Sequence, residues 1–263
     1  MTKAYRLLAP ALLATAASAG AAETNLSAST AYTDYSKAFG SRREMTAEST
    51  SDFGRTAFTI SLSQGTRKFE SESATSIRAA GTVYHDWSEK FFTRTTVGIS
   101  SNKPVFATRE VANDFNYKVL PNTVATVGAK HARYYGGTDV LSWSAGASWY
   151  FRSGIVNYRF SSFDIDKMGK SHGHLASVRL KDGKGAGYTQ LWAGSGTSLH
   201  DQDILGIGKK GNYRSLAVQR IQPVAGPVAV NLTLGRSWYK TPSGDYHGTT
   251  ASVGLSVKGL PKL

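Results

Sequence analysis

A chain of 263 residues carrying a formal charge of +13, 27 glycines, 13 tyrosines and no cysteine excludes a disulfide-stapled secreted domain, because such domains lean on paired cysteines. Its hydrophobic residues fall in short runs, and none approaches the roughly 20 consecutive apolar residues of a membrane-spanning helix. The basic excess speaks to partners, namely anionic lipid phosphates or anionic solutes, and not to fold.

The N-terminus comes first. Lys3 and Arg6 precede an apolar run from Leu7 to Ala17 that ends in Ala17-Ser18-Ala19. This order of basic, apolar and small residues marks a secretory signal peptide. Residues 1–19 are therefore expected to be removed, with Ala22 as the alternative cleavage point, and the charge falls to +11 (13 − 2). Residues 20–263 are read as one domain.

That domain reads as about fourteen strands of roughly ten residues separated by turn chemistry. In chain order they are Thr24 to Ser36, Arg42 to Ser51, Thr56 to Gly65, Thr75 to Trp87, Phe91 to Ser101, Glu110 to Leu120 and Thr123 to Tyr135. Then follow Val140 to Phe151, Gly154 to Asp164, His174 to Lys181, Gly187 to Thr197, Asn212 to Gln222, Val228 to Tyr239 and Thr249 to Lys258. The connections Asp52 to Arg55, Ser88 to Lys90, Pro121-Asn122, Arg152-Ser153, Asp182 to Ala186 and Pro223 to Pro227 are short and rich in turn residues. Those between, Thr66 to Ala74, Asn102 to Arg109, Ile165 to Gly173, Ser198 to Gly211 and Lys240 to Gly248, are expected to be longer loops on the opposite rim, with Lys37 to Ser41 and Gly136 to Asp139 as short exceptions.

The segment Val140 to Phe151, "VLSWSAGASWYF", gives the pattern its meaning. Alternate residues form two unlike faces: Leu141, Trp143, Ala145, Ala147, Trp149, Phe151, and Ser142, Ser144, Gly146, Ser148, Tyr150. A soluble sandwich needs a packable apolar core on one face of each sheet, whereas several of these strands oppose apolar residues to serine, threonine and glycine. An all-β, antiparallel transmembrane β-barrel of about 14 strands fits both faces, apolar toward lipid and polar toward the lumen. Trp143, Trp149, Phe151 and Trp238 are then expected in the aromatic girdles at the bilayer interfaces.

Six further stretches, "AYTDYS", "SLSQGTRKFE", "KPVFATRE", "VRLKDGKGAGYTQLW", "LAVQRIQPV" and "GRSWYKTP", in this order and spacing, resemble the YaiO-type outer-membrane β-barrel family from about Thr24 to Lys258. The resemblance implies a cell outer membrane location and an antiparallel barrel, with little said of activity; similar barrels form the membrane end of proteins linked to surface polysaccharide. It also implies delivery by the barrel-assembly machinery, although Gly259 stands where a terminal aromatic residue usually lies.

On the polar parity of their strands fall Arg78, Arg94, Lys130, Arg159 and Arg179, with Asp86 as the clearest inward acid. Such side chains set the ion preference of a pore. Arg133 and Arg236 fall on the lipid parity toward the long-loop rim, where an arginine can reach lipopolysaccharide phosphates. The histidines form no ligand set with carboxylates or thiolates at metal spacing; His172 and His174 share a face and nothing more. No catalytic residue, cofactor, metal or nucleic-acid partner is expected. The expected partners are outer-membrane lipids and lipopolysaccharide, with surface polysaccharide or periplasmic proteins as further candidates. The function read from these residues is a passive or partner-gated conduit, or a binding module, for small anionic or sugar-like solutes or for surface polysaccharide. A plugged barrel acting through its external loops is the alternative, and an outer-membrane lipid enzyme a third.

Overall fold

The computed structural model describes residues 23–69, 72–166, 168–183, 187–200, 209–242 and 244–260; the segment read as a signal peptide lies outside them. Among the described residues fourteen strands form one closed antiparallel barrel. They are β1 (Glu23–Tyr35), β2 (Ser41–Asp52), β3 (Thr56–Phe69), β4 (Glu72–Asp86), β5 (Phe91–Ser100), β6 (Arg109–Leu120) and β7 (Thr123–Arg133). The second half comprises β8 (Asp139–Phe151), β9 (Gly154–Ile165), β10 (Gly169–Lys181), β11 (Tyr188–His200), β12 (Lys209–Ala225), β13 (Val228–Thr241) and β14 (Gly244–Leu260). Each strand pairs with its chain neighbours, and β1 pairs with β14 from Thr24↔Leu260 to Tyr35↔Gly248. Closure leaves no sheet edge in hydrocarbon, where each unpaired backbone group costs several kcal/mol.

The alternation explains the strands. On β3, Phe58, Ile60 and Leu62 take one parity and Thr59, Ser61 and Ser63 the other, and the pairing carries these rows across to Ser49 and Ser51 on one face and Glu48 and Thr50 on the other. Hydroxyl pairs tie the inner rows together, including Thr33 to Thr250 at 2.8 Å, Thr46 to Ser63 at 2.9 Å and Thr82 to Thr96 at 2.9 Å. The protein is inside out. Ile99 and Leu234 are more than half exposed, and so are Trp143 and Val127, whereas the buried apolar side chains are few. So many large apolar side chains exposed on the outer wall are compatible with lipid and not with water.

The rim opposite the termini departs from the sequence-based expectation. Three of the five expected long loops are largely strand, with pairing running on to Phe69↔Glu72, Ile165↔Gly169 and Thr241↔Gly244, and the described ends of a fourth, Ser198 to Gly211, are strand as far as His200↔Lys209. The polar alternation simply continues past the hydrocarbon, where water replaces lipid outside and the hydrophobic signal used to end a strand disappears. Thr66 and Thr75, for example, share a hydroxyl bond of 3.0 Å beyond the expected end of β3. Only the segment 101–108 is a loop of substance among the described residues, and it folds inward. Val105 is 4 % exposed, and its side chain with that of Phe106 lies where a Cβ on Gly65 would stand.

Candidate functional site

The lumen is organised around β6. Its inner row reads Glu110, Ala112, Asp114, Asn116 and Lys118, while Val111, Phe115 and Tyr117 face outward. Each of the two inner carboxylates is held by two cations from different strands. Glu110 accepts from Arg78 Nη2 of β4 and from Lys130 Nζ of β7 at 2.6 Å. Asp114 accepts from Arg94 Nη2 of β5 at 2.6 Å and from Arg159 Nη2 of β9 at 2.5 Å.

Arg159 lies three strands away from Asp114, and its reach depends on missing side chains. Gly128 of β7 stands between Asp114 and Ser144, and Gly146 of β8 stands opposite Arg159. A Cβ on Gly128 would strike the Asp114 carboxylate and come within 2.9 Å of Ser144 Oγ. Gly98 does the same for the upper clamp: a Cβ there would lie 3.0 Å from Glu110 Oε1 and 3.3 Å from Arg78 Nη2. Glycine is required at such close approaches because any larger residue occupies the path.

Below the upper clamp, a cavity of about 330 Å³ is lined by Tyr84, Phe92, Arg94, Asp114, Asn116 and Arg159 among others. Arg179 sits apart, toward the terminal rim. Its Nε donates to Gln190 Oε1 at 2.8 Å and its guanidinium stacks 4.6 Å from the Tyr188 ring. All five basic residues singled out in the sequence are therefore on inner rows, and four of them meet at two carboxylates. Sequence reasoning missed Glu110 and Asp114 and named Asp86, which ends β4 exposed at the terminal rim. The signal was present in "REVANDFNYKVL", where the acids share the parity opposite to Val111, Phe115 and Tyr117.

The mouth opposite the termini is aromatic. Tyr246 stacks on Phe39 at 3.9 Å and on Tyr239 at 4.6 Å, and meets Tyr35 edge-on at 6.2 Å. Arg67 lies 4.1 Å over Tyr35, and Arg42 lies 5.4 Å from the ring of inward-folded Phe106.

On the outer wall, Trp149 and Phe151 stack at 5.2 Å beside the turn that joins β8 to β9. Trp143 precedes Trp149 by six residues, or about 20 Å of strand, and tilt makes the vertical separation shorter than the apolar band of about 25 Å. Trp149 and Phe151 stand next to the terminal rim, as does Trp87, and Trp143 stands higher on the same outer face. Trp238 is near the upper end of β13, with the Arg236 guanidinium 5.9 Å from its ring. Arg133 also faces outward; it stands opposite Arg109 and lies 3.9 Å from Asp139.

The family model described as the YaiO membrane beta barrel domain matches residues 23–201. The chain belongs to this family. The match ends before β12, so the last three strands lie beyond it, a shorter extent than the sequence resemblance suggested. Among solved structures, the CymD monoaromatic hydrocarbon channel is similar at 9 % identity, with 97 % of this chain and 92 % of that chain covered and a TM-score of 0.64. The Pseudomonas putida toluene transporter TodX is similar at 8 % identity, covering 90 % and 88 %, with a TM-score of 0.56. A bacterial polysaccharide outer membrane secretin is similar at 9 % identity, covering 92 % and 99 %, with a TM-score of 0.53. At these identities the likeness is one of fold: this YaiO-family chain is an outer-membrane-type β-barrel of the architecture that these proteins share.

Proposed function

We propose that this YaiO-family barrel resides in the outer membrane and acts as a narrow conduit, or a binding channel, for small anionic or sugar-like solutes, without enzymatic chemistry. The observation that carries the reading is the double clamp. Four cations, Arg78, Lys130, Arg94 and Arg159, face two carboxylates, Glu110 and Asp114, so the belt keeps two positive charges (4 − 2). Fixed charge of one sign along a confined path sets ion preference through local potential. The aromatic mouth supports the sugar-like part of the reading, since tyrosine offers an apolar face with a polar tip.

The test is conductance of the purified mature protein in a planar bilayer under a salt gradient. Steady conductance with an anion-favouring reversal potential, moved toward cations by charge reversal at Arg94 and Arg159, is the expected result. Cation preference in the wild-type protein would sink the proposal. A second reading, a plugged barrel, draws on the inward-folded segment 101–108 and on buried Val105. It is favoured if the folded protein conducts only after Val105 and Phe106 are both replaced by glycine.

A further inference from the structure

The outer wall over β9 to β13 carries a second feature, separate from the lumen. Its outward side chains are arranged in level rows by the pairing register. The lowest row is Val178, Leu191, Val218 and Leu234; the next is Ala176, Ala193, Leu216 and Arg236. Above them lie His174, Ser195, Arg214 and Trp238, and then His172, Thr197, Asn212 and Lys240. Small residues at Ala176, Ala193 and Ser195 sink the middle of this surface below its flanks. The result is two joined concavities. The lower, about 700 Å³, is walled by Val156, Val178, Leu191, Val218 and Leu234; the upper, about 1200 Å³, by His172, His174, Arg214, Trp238 and Lys240. They share Ala176, Ala193 and Leu216.

The trough thus passes from apolar to basic along the direction from the terminal rim toward the opposite one. Arg214, Arg236 and Lys240 are all exposed, and no carboxylate lines either concavity. Among the described residues none of the three enters an ion pair. Contrast Arg220, outward on the same strand β12 but near the terminal rim, which is paired to Asp182 at 2.6 Å. Three unneutralised cations on a lipid-facing wall are costly unless an anion meets them. An acyl chain fits the lower part, and a phosphate fits the guanidinium forks of the upper part.

We propose that this trough seats one phosphorylated, acylated lipid of the outer leaflet, with an acyl chain against Leu191, Val218 and Leu234 and the phosphate held by Arg214, Arg236 and Lys240. Trp238 lies between these cations and anchors the headgroup level. The proposal does not depend on whether the lumen conducts.

The test uses the full mature protein, purified in a non-ionic detergent and mixed with lipid A, followed by native mass spectrometry. One retained lipid per barrel is expected. The combined variant R214Q/R236Q/K240Q is expected to lower retention about tenfold or more, and Ala193→Phe, which fills the trough and leaves every charge in place, to lower it comparably. Arg43→Gln, an exposed outward position on β2, keeps wild-type retention. Each variant is first checked for a folded barrel by the shift in gel mobility on boiling. Equal retention of lipid A stripped of its phosphates, unchanged retention in both trough variants, or a lipid-free dimer formed through this face would each overturn the proposal.

Discussion

Replacing Asp114 by asparagine keeps the size of the side chain and removes one charge from the lumen. The lower clamp then goes from a net of +1 (2 − 1) to +2, since Arg94 and Arg159 both remain. A monovalent solute passing about 6 Å away feels the added unit as roughly 0.7 kcal/mol in a water-filled path. Screening at 0.1 M salt, with a Debye length of about 10 Å, lowers this to about 0.4 kcal/mol. Because the anion gains this amount and the cation loses it, the ratio of anion to cation permeability rises about fourfold. At 1 M salt the Debye length is about 3 Å and the effect on the ratio shrinks to about 1.4-fold. The assay is the reversal potential of the wild-type and Asp114→Asn barrels in a planar bilayer, recorded at both ionic strengths. The same variant loses charge-assisted bonds to two arginines whose side chains are 43 % and 32 % exposed, so its urea midpoint in detergent should fall by the equivalent of about 1–2 kcal/mol. A permeability ratio that is unchanged at low salt, or that shifts equally at both salts, would refute the reasoning that this clamp sets the lumen potential.

Other outcomes follow from the same geometry. Gly128→Val should destabilise the barrel by about 1–3 kcal/mol through overpacking against Asp114 and Ser144, read as a lower urea midpoint; Gly81→Ala, with nothing within 4 Å of the added carbon, should leave the midpoint nearly unchanged. Leu232→Arg, on the lipid face of β13, should cost about 2–4 kcal/mol if it lies at the midplane, measured by refolding into lipid vesicles. Asp182 accepts from Arg220 in the turn at the terminal rim, and that guanidinium holds its carboxyl below the usual range. Because the folded value is depressed, the contribution is present above the unfolded aspartate value and is lost as pH falls through the lower folded one. The difference in unfolding midpoint between wild type and Asp182→Asn should therefore be constant near neutrality and shrink only in strong acid; a difference that disappears within about one pH unit below neutrality would contradict this pairing.

Which face of each strand meets lipid was legible in the sequence, because alternation is a local property with period two. "VLSWSAGASWYF" and "REVANDFNYKVL" each declare two faces without reference to any other strand. The same alternation placed Arg78, Arg94, Lys130, Arg159 and Arg179 on inner rows and Arg133 and Arg236 on outer ones. Parity carries no information about height, however. That Arg159 reaches Asp114, 45 positions earlier in the chain, depends on three successive pairings, which set it level with Asn116, one inward position from Asp114, and on the absence of side chains at Gly128 and Gly146. The expected loop lengths failed for a related reason: hydrophobic contrast marks where a strand leaves lipid, not where its hydrogen bonding stops.

The sequence by itself thus determined the architecture: a chain of alternating strands that only closure can satisfy in a membrane. Tertiary structure alone decided which cations meet which carboxylates, that segment 101–108 turns into the lumen, and that Arg214, Arg236 and Lys240 gather at one end of an apolar trough. The physical reason is that closure staggers each strand against the next, and this stagger, spread over the whole sheet, fixes which residues of distant strands share a level.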